Sequence, residues 1–126
     1  MSDGNLAQKG RETRKALWGE ASLAPTEKFL EGFDAGFAKF MNEQLFGEIW
    51  SRPGLPRKTR SMMTVAVLIA LCRPHEMRVH MRGAFNQGVT QDEIKEIIIH
   101  VSQYAGVPVA MEAIRALADA SAPTEA

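Results

Sequence analysis

The chain has almost no means of forming disulfides, since its 126 residues include one cysteine, Cys72. A lone cysteine cannot close an intramolecular bridge, so stability must come from a packed core, and the composition suits a reducing cytosol. Charge of one sign is also missing, because fifteen Lys and Arg are matched by fifteen Asp and Glu. Without a global basic field, neither nucleic acid nor a membrane surface is expected as a partner. The longest apolar run, Met62 to Cys72, is broken by Thr64 and falls far short of the roughly 20 residues that span a bilayer. The opening Met1-Ser2-Asp3-Gly4-Asn5 lacks the charged-then-apolar pattern of a secretion signal. Gly-rich phosphate loops, Gly-x-Ser-x-Gly, His-Glu-x-x-His and Cys-x-x-Cys are all absent. No stretch alternates like a strand, and no repeat recurs at a solenoid period.

What remains is helical periodicity over a length that suits one domain, residues 1–126, with flexible ends at about 1–4 and 121–126. The pattern predicts an all-α fold of six or seven helices. Residues 5–20 form a polar helix with Arg11, Glu12, Arg14 and Lys15 on one side. Pro25 stands near the start of a second helix, Thr26 to about Phe40. Along it Phe29, Leu30, Phe33, Phe37 and Phe40 make a stripe at helical spacing, which is expected to pack a core. A short helix follows through Trp50, with Gly47 marking a kink. Ser51-Arg52-Pro53-Gly54-Leu55-Pro56 is turn chemistry. Pro56 then opens a helix running to about Leu71 whose body is apolar all round, as a central core helix would be. Another helix starts at Pro74 and ends near Gln87, with Gly88 as a left-handed cap. Thr90 and Glu93 form a capping box ahead of a helix with Ile94, Ile97, Ile98, Val101 and Tyr104 inward. The last helix, about Val109 to Ala120, carries Met111, Ile114, Leu117 and Ala118.

The chemistry-bearing residues gather on few turns. Glu76 and His80 stand four apart and so share a helical face. A carboxylate beside an imidazole raises its pKa and fixes its tautomer, which makes a proton donor usable near neutral pH. Arg73 lies one turn earlier on the same side. Such spacing also suits an ordinary helical ion pair, so it does not by itself define a site. Arg57, Lys58 and Arg60 crowd a helix start, where cations oppose the dipole. Either an anion is held there or they point into solvent. His100, on an apolar helix near Tyr104, reads as a core histidine, and His75 as exposed. A metal held by Glu76, His80 and His100 lacks any standard ligand spacing.

At three blocks the chain resembles the carboxymuconolactone decarboxylases. They are Gly47-Glu48-Ile49-Trp50-Ser51-Arg52-Pro53-Gly54-Leu55-Pro56-Arg57-x-x-Arg60-Ser61, then His75-Glu76-Met77-Arg78-x-His80 with Ala84-Phe85-Asn86-x-Gly88-Val89-Thr90-x-Asp92-Glu93-Ile94, and His100-x-x-x-Tyr104-x-Gly106-Val107-Pro108-x-Ala110. The resemblance covers about residues 5–120. It implies the all-α alkylhydroperoxidase D-like fold, whose peroxidase members carry Cys-x-x-Cys-x-x-x-His. Counted back from His80, their cysteines would fall at Arg73 and Glu76, and their proton-relay glutamate at Ser61. Peroxide reduction through a disulfide needs a thiol pair, so peroxidase chemistry is not expected here.

The resemblance implies a cofactor-free decarboxylase acting on 4-carboxymuconolactone in protocatechuate breakdown, or a paralogue acting on another carboxylated lactone. It implies His80 as proton donor or oxyanion partner, with Glu76 orienting it. Arg52, Arg57, Arg60 and Arg73 become candidates to hold carboxylates, which guanidinium grips bidentately, and Trp50 a candidate pocket wall. It also implies a homo-oligomer, a trimer or hexamer, in the cytoplasm.

Overall fold

The computed structural model describes residues 3–122. It contains α1 (Asp3–Trp18), a 3₁₀ turn (Glu20–Ser22), α2 (Leu23–Phe33), α3 (Ala35–Phe40), a π-helical segment (Met41–Ile49), α4 (Arg57–Ala70), α5 (Pro74–Asn86), α6 (Gln91–Ala105) and α7 (Val107–Ser121). Among the described residues there is no strand, so the all-α expectation holds. The flexible ends expected at 1–4 and 121–126 fall mostly outside the described residues; Asp3 and Gly4 already belong to α1, and Ser121 closes α7. The chain forms two compact units, Met1–Arg57 and Lys58–Ala126.

In the first unit α1 lies against the π-helical segment at very short range. A Cβ on Gly10 would meet the Asn42 carbonyl oxygen at 1.9 Å, and one on Gly47 the Leu6 carbonyl oxygen at 2.4 Å. Gly47 is therefore required by a backbone contact and not by a kink. Leu17, Phe46 and Trp50 make the buried core here. Arg14, expected on a polar face, is instead 4% exposed. Its guanidinium donates to Glu27 Oε1, Asn42 Oδ1 and the Leu23 carbonyl oxygen, the partners a buried charge requires.

The helix expected over 26–40 is two helices. Asp34 is extended (φ −167°, ψ 124°) and its carboxylate accepts from Phe37 N–H, capping α3. The aromatic stripe is not core either. Phe29 and Phe33 are 78% and 77% exposed, and Phe37 and Phe40 are exposed as well. The phenyl rings touch one another instead, Phe33 edge-on to Phe37 and Phe37 stacked on Phe40. Helical period marks one apolar face but does not say what covers it.

The second unit is built from α4 to α7 around Val65, Ile69, Met77, Met81, Ala84, Ile94 and Ile98. The helix expected to be apolar all round has two sides: Val65 and Ile69 are buried, whereas Met63, Val67 and Leu71 are exposed. α7 reverses the usual size rule. Ala110, Ala113, Ala116 and Ala120 face inward while Met111 and Ile114 face out. Small inward residues let a helix approach its neighbours closely, and α7 packs on both α5 and α6.

Two turns in this unit end helices in the same way. After α5, Gly88 (φ 87°) donates to the Phe85 carbonyl and Val89 to that of Ala84. After α4, Cys72 (φ 53°) donates to the Ile69 carbonyl and Arg73 to that of Leu68. Both are Schellman caps, but the second puts a cysteine where glycine is favoured. The Thr90–Glu93 capping box forms as the sequence predicts, with Glu93 N–H on Thr90 Oγ1 at 3.0 Å and Thr90 N–H on Glu93 Oε1 at 2.9 Å.

Candidate functional site

The α4 cap aims the chain directly into α5, the helix that carries the chemistry. Arg73 is its N-cap and Pro74 its first residue, where a missing N–H costs nothing. Met77, Met81 and Ala84 fix the inner face of α5 in the core. His80 is thereby set at the core's edge, half-buried, with Glu76 one turn before it and exposed.

The electrostatics of the pair differ from the expectation. Burial lowers the His80 pKa below the ordinary imidazole value, and the opposing charge of Glu76 is the smaller effect. Burial thus works against the charged form of His80 in the free protein, and Glu76 moderates that cost. Arg73, at the N-cap, is exposed.

The cations at the start of α4 separate. Lys58 pairs with Glu93 at 3.3 Å, which ties α4 to the capping box of α6. Together with the Thr90 N–H, whose hydrogen bond has the larger effect, this pairing holds the Glu93 carboxyl below its ordinary range. Arg57 and Arg60 are half-buried, and the Nε atom of each is shielded from solvent. Arg52 lies exposed in the loop after the π-helical segment. Trp50 is buried against Phe46, their centroids 6.3 Å apart, and serves the first unit's core.

His100 and Tyr104 are both exposed, not core, with their ring centroids 5.3 Å apart. The two sit on the outer side of α6, away from Ile94 and Ile98. His100 rims a cleft of about 410 Å³ between α4 and α6, along with Met62, Ala66, Asp92, Glu93, Glu96, Ile97 and Val101. His80 does not line this cleft, and its walls are almost wholly apolar. Among the described residues no three His, Cys, Asp or Glu side chains meet in a way that could hold a metal ion, so His100 does not join Glu76 and His80 as a ligand set. No helix among them is long and apolar enough to cross a membrane.

Ser61, which the sequence reading noted only as the position of the peroxidase relatives' glutamate, is 2% exposed and its hydroxyl has no hydrogen-bond partner. It sits where helical period places an apolar residue.

Comparison with known proteins bears on the family of the chain. Residues 35–119 match the carboxymuconolactone decarboxylase family. The 4-carboxymuconolactone decarboxylase of Acinetobacter baylyi is 47% identical over 108 residues, covering 86% of this chain and 81% of that protein. A nitrosuccinic acid decarboxylase of Metarhizium robertsii is 34% identical over 109 residues, covering 86% of this chain and 76% of that protein. An uncharacterised 15.0 kDa protein of Paracoccus denitrificans is 35% identical over 77 residues. Both the extent of the family match and the coverage of the first two of these relatives lead to one conclusion: the chain belongs to the carboxymuconolactone decarboxylase family.

Proposed function

We propose that this protein is a carbon–carbon lyase that decarboxylates 4-carboxymuconolactone to the enol-lactone of β-ketoadipate. The observation that carries the reading is the half-buried His80 beside Glu76 on α5, in a chain 47% identical to a protein of that activity.

The reaction needs little covalent help. The departing carboxylate sits on a ring carbon conjugated through a double bond to the lactone carbonyl. As the carbon–carboxylate bond breaks, its electron pair moves through the ring to the carbonyl oxygen and forms an aromatic furanolate. A proton delivered to the carbon alpha to that carbonyl restores the lactone. The protein must hold a dianion, stabilise the oxyanion and supply one proton.

His80 is assigned the proton. In the free protein, desolvation of its ring disfavours the charged form. A bound dianion reverses that balance, since a nearby negative charge favours imidazolium. Substrate binding thus draws a proton onto His80, which then passes it to the ring carbon. Glu76 supports the charged form. Arg60 on α4 and Arg73 at the N-cap of α5 are assigned to the carboxylates; Arg52 and Arg57 offer the same guanidinium chemistry.

The test is turnover of enzymatically generated 4-carboxymuconolactone, followed by CO2 release and enol-lactone formation. His80→Ala should lower kcat by about 10²- to 10⁴-fold while leaving circular dichroism unchanged. Near-normal turnover in that variant would remove His80 from the mechanism. The nitrosuccinic acid decarboxylase among the relatives supports a second reading, decarboxylation of a different carboxylated substrate. Folded protein that fails on the lactone would favour it.

The working form is proposed to be a cytoplasmic homo-oligomer, a trimer or hexamer. Support comes from the exposed Phe29, Phe33 and Phe40 and from Val107, Met111 and Ile114 on α7, since contiguous apolar surface commonly marks an interface. Sedimentation of a Phe29→Ser, Phe33→Ser variant should shift to smaller species; an unchanged mass would place the interface elsewhere.

A further inference from the structure

Some hydroxyls inside the helices of this protein bond back to the preceding turn, while those of Ser61 in α4 and Ser121 at the end of α7 are shielded from solvent and have no partner. Thr13 Oγ1 donates to the Lys9 carbonyl at 3.0 Å and Thr64 Oγ1 to the Arg60 carbonyl at 2.8 Å. Such bonds back to the preceding turn are the default for a hydroxyl that has nothing else to bind. Ser61 stands one turn into α4 and has a carbonyl available four residues earlier, yet it makes no such bond. At 2% exposure it has no bulk water to turn to. A buried hydroxyl without a partner is costly and calls for an explanation.

Its surroundings are those of an anion site. Arg57 lies four residues earlier on the same face of α4, and its Nε is also shielded from solvent with no hydrogen-bond partner among the described residues. The first turn of a 14-residue helix presents N–H groups and a positive dipole end. Donors therefore gather here without an acceptor to match them.

The position along the chain relates Ser61 to His80. Ser61, Val65 and Ile69 form one buried stripe on α4. Val65 and Ile69 share a core with Met77 and Met81, which lie three residues before and one after His80 on α5. α4 and α5 are joined by the short turn 71–73, and the stripe that carries Ser61 and the inner face of the helix that carries His80 meet in one core.

We infer that Ser61 is a substrate-binding residue whose hydroxyl donates a hydrogen bond to a carboxylate oxygen of the bound lactone acid. The assignment rests on the proposed decarboxylase reading and adds a specificity determinant to it. Because the donor is preformed and unpaired in the free protein, its bond is made only when ligand arrives.

Two measurements on the intact protein test this. The first compares kinetics on 4-carboxymuconolactone for wild type, Ser61→Ala and Ser61→Cys. Loss of a hydrogen bond to a charged group should raise KM about tenfold or more with kcat within about threefold, the pattern of lost ground-state binding. The melting temperature of the unliganded variant should hold or rise, because an unsatisfied hydroxyl is gone. The second is calorimetric binding of 5-oxotetrahydrofuran-2-carboxylate, a five-membered lactone with one carboxylate, against γ-butyrolactone, which has none. Wild type should bind the acid better than the neutral lactone, and Ser61→Ala should lose that preference. Unchanged KM and unchanged acid preference in Ser61→Ala would overturn the inference, as would failure of wild type to bind the acid. A fall in melting temperature with KM unaltered would also overturn it, by giving the hydroxyl a role within the fold. If wild type does not turn over the lactone but binds the acid through Ser61, the substrate reading fails and the Ser61 assignment stands.

Discussion

Replacing Cys72 by glycine should stabilise the protein, and the two Schellman caps allow the size to be worked out. Each cap places its central residue in the left-handed region, Gly88 at φ 87° and Cys72 at φ 53°. For a residue with a Cβ that conformation costs roughly 1–2 kcal/mol. Glycine removes the cost but gives the unfolded chain more freedom to lose, a penalty of roughly 0.5–1 kcal/mol. The net expectation for Cys72→Gly is about 0.5–1 kcal/mol of added stability. With an unfolding entropy of roughly 2.1 cal/mol/K per residue, that shifts the melting temperature of a chain this long by about 2–4 °C. Cys72 is exposed, so no packing is lost, and both backbone hydrogen bonds can remain. The assay is reversible urea unfolding at fixed protein concentration with reductant present, so that thiol oxidation cannot contribute. Turnover should be unchanged, since the cap still directs α4 into α5. A lower unfolding free energy would refute the reasoning, because the sulfur would then hold something the φ angle does not reveal.

The remaining predictions concern pH and packing. Unfolded His80 titrates near about 6.5 and folded His80 lower. Between those values the unfolded chain takes up a proton that the folded one refuses. Stability present above 6.5 is therefore lost as pH falls towards the folded value, and His80→Gln should flatten that slope in pH-dependent urea titrations. In catalysis, kcat/KM should decline as pH rises above the lowered pKa of free His80, while kcat holds to higher pH because bound dianion raises it. Coincident limbs for the two profiles would refute proton uptake on binding. Glu76→Gln should move the kcat/KM limb to still lower pH, as a charge opposing desolvation is lost. Gly10→Ala sets a Cβ against the Asn42 carbonyl and should cost about 2–3 kcal/mol by urea unfolding, the upper range for forcing volume into a packed contact.

The sequence by itself determined the helical class, the punctuation and the pair on α5. Pro74, Gly88 and the Thr90–Glu93 box act within a few residues, and local backbone chemistry does not wait for the fold. Glu76 and His80 share a face because a helix turns every 3.6 residues, whatever packs nearby. Tertiary structure decided everything that depends on which side is covered. Period identified the apolar faces carrying Phe29 and Phe33 on α2 and Met63 and Val67 on α4, yet all four residues are exposed. It treated Arg14 as surface, though Glu27 and Asn42 reach it from elsewhere in the chain. It assigned His100 to a core that α7 builds from alanines instead. The same limit governs His80. A neighbouring carboxylate can be counted from spacing, but desolvation is a property of the atoms packed around the ring, and here desolvation is the larger effect.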